Sequence, residues 1–317
     1  MRGRLVIPVR EVKGKSGRLI LVEEETDRVA IDRFNQEVLA ARKGLVLAPT
    51  HPAKLKPRLE AGDVKWLTKA LGGLNPSRLD YDVYQDVSKF YDTEGGTVLL
   101  LGLEYLSLLN GFKLVARAVK KMGDRATTSS GALIVGINPG AFDEKELAVL
   151  EKAFDYVERS GVGARVIERL SPGEERPGWA YLFLEKEDCT GLKRLREDAV
   201  CVTTVQPEKL RRWEDFRGKV IWVSESDEKE AVHPSKLRFE IQQGVTRALE
   251  EGAKAVFVDG LEHLMVYTDF AEVVNFIKSV TDACAQSKAS LFASLDAKAV
   301  DKKQRVILAR IFDKVIG

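Results

Sequence analysis

Asp259 and Glu225 are the residues of this sequence best placed to do chemistry. Ala255-Val256-Phe257-Val258 runs into Asp259-Gly260, and Val220-Ile221-Trp222-Val223 runs into Ser224-Glu225. A short apolar run that ends in an acid and then turns helical reads as a buried parallel strand handing over to a loop, where α/β proteins place their sites. A carboxylate at such a strand end can orient Mg²⁺ and water, so Asp259 with Glu225 is a candidate residual nucleotide or metal site. The other reading of Asp259 is a cap or turn residue opening the next helix, and that is the expectation here, because the acid lacks its usual companions. Glu225, Asp227 and Glu228 are expected as a solvated acidic loop, with Ser226 or Asp227 as a cap.

The missing companions are glycines and a lysine. Nucleotide hydrolysis needs G-x-x-x-x-G-K-[ST] after a strand, so that backbone amides approach the phosphates and a lysine neutralises them. Here Val200-Cys201-Val202 is followed by Thr203-Thr204-Val205-Gln206-Pro207, and Leu45-Val46-Leu47 by Ala48-Pro49-Thr50-His51-Pro52. Neither loop holds a glycine, and each proline removes an amide. Cys189, Cys201 and Cys284 lack CxxC spacing, and His51, His233 and His263 form no HxxxH pair. No metal, no cofactor and no catalytic residue is therefore expected.

Basic segments are the remaining candidates. Arg2, Arg4, Arg10, Lys13, Lys15 and Arg18 surround Gly14 and Gly17 in what reads as a hairpin tip, from which a cationic loop could reach RNA phosphates. Lys193, Arg194, Arg196 and Lys209, Arg211, Arg212 form two further clusters, interleaved with acids as solvated faces are. The N-terminal loop is the expected partner-binding segment.

The elements that position these residues come in two copies. Asn75 to Val157 lies on His233 to Val315 at a constant offset (233 − 75 = 158): Pro76-Ser77-Arg78-Leu79 matches Pro234-Ser235-Lys236-Leu237, and Gly102-Leu103-Glu104 matches Gly260-Leu261-Glu262. Leu101 stands where the second copy has Asp259. Upstream, Leu5-Val6-Ile7 and Leu19 to Glu23 are echoed by Arg165-Val166-Ile167 and Tyr181 to Glu185, each pair reading as a β-hairpin. The units are expected at 1–158 and 159–317. In the second, strands at Ala199 to Thr203, Lys219 to Val223, Ala255 to Val258 and Ser290 to Leu295 alternate with helices after Pro207, from His233 to Leu249, from Phe270 to Cys284 and from Lys302 to Val315. That alternation predicts an α/β fold of three-layer units with mostly parallel sheets, each preceded by a hairpin.

Composition bounds the function. The chain of 317 residues carries 50 Lys plus Arg against 48 Asp plus Glu, a net +2 that argues against a general DNA coat. Dense charge with few Cys and Met is the composition of many hyperthermophile proteins, so a thermophilic archaeon or bacterium is the expected source. No apolar run is long enough to span a membrane and no signal-peptide core follows Met1, so a cytoplasmic protein is expected.

The strand-end segments Val220 to Glu225, His233 to Leu237, Val258 to Leu264 and Leu291-Phe292-Ala293-Ser294-Leu295-Asp296 resemble the core of RecA/KaiC-type NTPases and, more specifically, an archaeal family known as domain of unknown function 835. The likeness covers most of both halves. It implies two tandem degenerate RecA-like units and, because RecA-like domains commonly pack side by side, a homodimer. The expected function is a non-catalytic scaffold on a large RNA-protein partner such as a ribosomal subunit, as a ribosome dimerisation or hibernation factor that silences translation. The alternatives are a nucleotide-binding switch or unconventional ATPase using Asp259 and Glu225, and a transcriptional or signalling adaptor.

Overall fold

A computed structural model describes residues 18–39, 43–160, 170, 174–184, 198–214, 216–226 and 228–317, with the main chain only at 212–214. The chain divides into two compact units, Met1–Arg165 and Val166–Gly317.

The first unit runs β1 (Arg18–Glu23), α1 (Arg28–Leu39), β2 (Gly44–Ala48), α2 (Pro52–Leu55), β3 (Asp63–Trp66), α3 (Tyr84–Thr93), β4 (Thr97–Leu100), α4 (Leu103–Asn110), α5 (Phe112–Thr128), β5 (Ala132–Ile137), α6 (Glu144–Lys152) and β6 (Tyr156–Arg159). The second runs β7 (Ala180–Phe183), β8 (Ala199–Thr203), α7 (Pro207–Glu214), β9 (Lys219–Val223), β10 (Ala231–Val232), α8 (Gln242–Glu250), β11 (Ala255–Val258), α9 (Leu261–Tyr267), α10 (Phe270–Ser287), β12 (Ser290–Ser294), α11 (Lys302–Ile311) and β13 (Lys314–Ile316). Sheet orders are β3-β2-β4-β5-β1-β6 and β10-β9-β8-β11-β12-β7-β13. Apart from the two-residue β10 at one edge, these are the same order, and every pairing is parallel. The predicted three-layer α/β units are present twice.

Two elements depart from the sequence reading. The second arm of each predicted hairpin is an interior strand: β1 pairs in parallel with β5 and β6, and β7 with β12 and β13. Both edges are taken along Ile20–Glu23 and Tyr181–Phe183, so neither run can close a hairpin there; the other arms lie outside the described residues. The last helix ends at Ile311, not Val315. Phe312 is extended, the Asp313 carboxylate accepts from the Ala180 N–H at 2.7 Å, and Lys314–Ile316 joins the sheet beside β7.

The layers follow from side-chain alternation along the strands. In the first unit, Ala30, Ile31, Phe34 and Val38 of α1 and Leu55 of α2 pack on Ile20, Val22, Val46, Leu99 and Ile134. On the opposite face, α5 packs on β1 and β5 and against α3 and α4. In the second unit, Leu210 of α7 packs on Tyr181, Cys201, Phe257 and Phe292, and α10 packs on β12 beside α8, α9 and α11. Leu237, Ile241, Val245 and Leu249 are buried as their spacing predicts, although the turn Leu237–Ile241 is a π-helix, as is Leu79–Val83 at the same place in the first unit.

The N-terminus of α1, which follows interior strand β1, is closed by the chain itself. The buried Glu24 carboxylate accepts from the Val29 and Ala30 N–H groups at 2.8 and 2.7 Å, using helix-end donors that would otherwise suit an anion. Glu24→Ala is expected to cost about 1–2 kcal/mol, in the range of a lost N-cap, as read by chemical denaturation.

At the other end of β1, burial raises the Glu23 pKa above its ordinary value, against the lowering effect of Arg159 at 3.1 Å. Arg159 also bonds Glu151 at 2.7 Å and lowers its pKa. The two carboxylates contribute with opposite sign. Glu23 costs stability while ionised, a cost relieved as pH falls through its raised pKa. Glu151 contributes stability that is lost as pH falls through its lowered one. In Arg159→Met, NMR of the carboxyl carbons should show the Glu23 midpoint rising further and the Glu151 midpoint returning towards its ordinary value.

Candidate ligand-binding crevice in the second unit

Each sheet has one point where neighbouring strands send the chain away in opposite directions, and such divergence opens a crevice at the carboxyl ends of the strands. From β2 the chain crosses through α2 to β3; from the adjacent β4 it crosses through α4 and α5 on the other face to β5. In the second unit the corresponding strands are β8 and β11. Helices α4 and α9 both start from a glycine with left-handed backbone, Gly102 at φ 77° and Gly260 at φ 78°, which lets the strand turn at once into the helix. Glu104 and Glu262, the acids of the repeated Gly-Leu-Glu, accept from the backbone N–H groups of Asn138 and Asp296, so this motif anchors the turn after the neighbouring strand.

In the first unit the crevice is filled. Leu101 is buried with Ala48 in the core, and a side chain on Gly136 would meet Leu101 at 2.9 Å. The Pro49 ring sits 2.4 Å from where a Gly102 Cβ would be. The His51 ring stands edge-on to Trp66 at 4.6 Å while its Nδ1 accepts from the Ala53 N–H, capping α2. The Trp66 indole N–H donates to the Pro49 carbonyl at 3.1 Å.

In the second unit the same positions are polar. Thr203, Asp259 and Ser294 replace Ala48, Leu101 and Gly136 (203 − 48 = 155; 259 − 101 = 158; 294 − 136 = 158). The Asp259 carboxylate accepts from the Ser294 hydroxyl at 2.7 Å and the Thr203 hydroxyl at 3.3 Å, tying together the ends of β8, β11 and β12. These hydroxyls accept in turn from the N–H groups of Gly260 at 3.4 Å and Val205 at 3.0 Å. Thr204 replaces Pro49, and nothing lies nearer than 3.7 Å to a Cβ built on Gly260. The Trp222 indole keeps its bond, donating to the Thr204 carbonyl at 3.3 Å.

A rim of ionisable side chains follows. His233 caps the turn at Pro234, its Nδ1 accepting from the Ser235 N–H at 3.2 Å, so that Nε2 faces Glu225 at 3.9 Å. The Tyr267 hydroxyl also bonds Glu225; partial burial, then the Glu225 charge, raises the phenol pKa. His263 stands edge-on to Tyr267 at 5.1 Å. Below, burial and the Asp259 charge push the Cys201 thiol well above its ordinary value, leaving it protonated and unreactive.

Asp259 is thus not the helix cap that the sequence suggested, because Gly260 holds the cap position without a side-chain bond. Its bonding is that of a polar anchor. Glu225 lies on the same carboxyl edge, half in the Tyr267 and His233 cluster, so the two predicted residues share an edge. Among the described residues no three His, Cys, Asp or Glu side chains converge as a metal site would. Arg18 belongs to β1, half-buried, with its guanidinium on Glu37 at 3.2 Å; Arg2, Arg4, Arg10, Lys13 and Lys15 lie outside the described residues, as do Asp227, Lys193, Arg194 and Arg196. Sequence reasoning missed Thr203, Ser294, His233, His263 and Tyr267. Comparing the two copies position by position, rather than motif by motif, would have marked them.

A family model described as Protein of unknown function (DUF835) matches residues 23–154 and again 184–312. No curated protein shows significant similarity to the chain.

Proposed function

We propose, from the fact that the chain belongs to the DUF835 family and carries that unit twice in tandem, that it is a non-catalytic binding and regulatory protein. In this reading the units are degenerate RecA-like domains, the chain acts as a homodimeric scaffold in the cytoplasm, and its partner is a large RNA-protein assembly such as a ribosomal subunit. A ribosome dimerisation or hibernation role, silencing translation, is the specific form of the proposal. The observation that carries the non-catalytic reading is the apolar filling of the first crevice by Ala48, Pro49 and Leu101. RNA is favoured by the cationic run Arg2 to Arg18 in the sequence. Sucrose-gradient sedimentation of ribosomal subunits with and without the pure protein tests it. A shift of subunits into a heavier peak containing the protein is the expected result, and an unchanged profile overturns the ribosomal partner.

A second reading is a nucleotide-binding switch, and the polar Thr203, Asp259 and Ser294 crevice favours it. It requires ATP with Mg²⁺ to bind in calorimetry and Asp259→Ala to abolish that binding.

A further inference from the structure

Beside the Asp259 crevice, the second unit has a cleft of about 530 Å³ between the ends of β8 and β9. We propose that this cleft binds a small zwitterion, a free α-amino acid or dipeptide. The proposal goes beyond the scaffold reading and does not depend on it.

Three differences from the first unit open the cleft. Gln206 stands where His51 covers Trp66 (206 − 51 = 155), so no ring covers Trp222, which lines the cleft. The connection from Trp222 to Val232 is two residues longer than that from Trp66 to Leu74 (232 − 222 = 10; 74 − 66 = 8). In the first unit the shorter connection is cinched by Thr68 N–H to Leu74 carbonyl and Leu74 N–H to Trp66 carbonyl bonds of 2.9 and 2.8 Å. In the second, the longer loop becomes a wall, braced by the Ser226 N–H on the Ser224 hydroxyl at 3.1 Å and the Glu228 N–H on the Ser226 hydroxyl at 3.2 Å.

The charges on the two walls select the ligand. Lys209, from α7, lines one wall, and Glu228 lines the other. Neither side chain has an ion-pair partner among the described residues, unlike most charged groups along the neighbouring helices. Between them lie hydroxyls of Thr204, Ser224 and Ser226 over the indole. A cation facing a carboxylate across a hydroxyl-lined gap complements a molecule with a carboxylate at one end and an ammonium at the other. Polyphosphates fit poorly: a single lysine would face several negative charges beside Glu228, and Pro207 removes an amide at the start of α7.

The test is thermal shift followed by calorimetry on the full chain, using free amino acids and dipeptides, their C-terminal amides, their N-acetyl forms, and ATP with Mg²⁺. At least one free zwitterion should bind, and blocking either end should weaken it by about tenfold or more, the scale of one lost charge-assisted contact. Lys209→Met should lose discrimination between the free acid and its amide, and Glu228→Gln that between the free amine and its acetyl form. Both side chains are exposed, so both variants should fold, checked by circular dichroism. The proposal is overturned if no zwitterion binds, if blocked forms bind as well as free ones, if both variants behave as wild type, or if ATP alone binds in the cleft.

Discussion

Leu101→Asp should cost the first unit about 3–5 kcal/mol, the range for a buried charge without a partner, and should do so although aspartate is what the second unit carries at the same place. Leu101 is 1% exposed and surrounded by Ala48, Gly136 and core side chains, none of which can donate to a carboxylate. Asp259 is stable because Thr203 and Ser294 supply hydroxyls and because it is only partly buried. The matching triple variant, Ala48→Thr with Leu101→Asp and Gly136→Ser, should recover much of the loss. Two units need not unfold together, so the comparison belongs to calorimetric scans in which transitions are resolved. A single variant that costs less than about 1 kcal/mol, the level of an ordinary surface change, would show that the first crevice is not sealed.

The second large effect separates two glycines with the same backbone. Gly102→Ala and Gly260→Ala each place a side chain in the left-handed region, at about 1–2 kcal/mol. At Gly260 the cost should stop there, since the new methyl meets nothing closer than 3.7 Å. At Gly102 it lands 2.4 Å from the Pro49 ring, and displacing a packed proline adds about 1–3 kcal/mol of overpacking. Chemical denaturation of the two variants should therefore rank Gly102→Ala well below Gly260→Ala. Equal losses would contradict the distinction between a filled and an open crevice.

Much of the architecture is legible in the sequence because the repeat is read twice. The apolar runs at Thr97 to Leu100 and Ala255 to Val258, each followed by Gly-Leu-Glu, locate the same strand, glycine turn and helix independently. What fails depends on pairing at long range. Leu19 to Glu23 looks like a hairpin arm because a basic, glycine-containing loop precedes it, and nothing local reveals that β5 and β6, over a hundred residues later, occupy both its edges. Lys314–Ile316 continues an apolar spacing that suits a helix, and only its pairing with β7 makes it a strand. The candidate site is harder still. Asp259 and Glu225 stand out as acids after strands, whereas Thr203 and Ser294 are ordinary strand residues until the fold brings their hydroxyls to one carboxylate.

The account rests on one asymmetry: the second unit presents an open polar edge for small ligands, and the first is its filled copy. Backbone amide and indole NMR during titration of the full chain with free amino acids, and separately with ATP and Mg²⁺, measures this directly. Shift changes should gather at Thr204, Trp222, Ser224 and Gly260 at the ends of β8, β9 and β11, leaving Trp66 and Gly102 unmoved. Changes centred on Trp66 and Gly102, or none in either unit with any of these ligands, would contradict it.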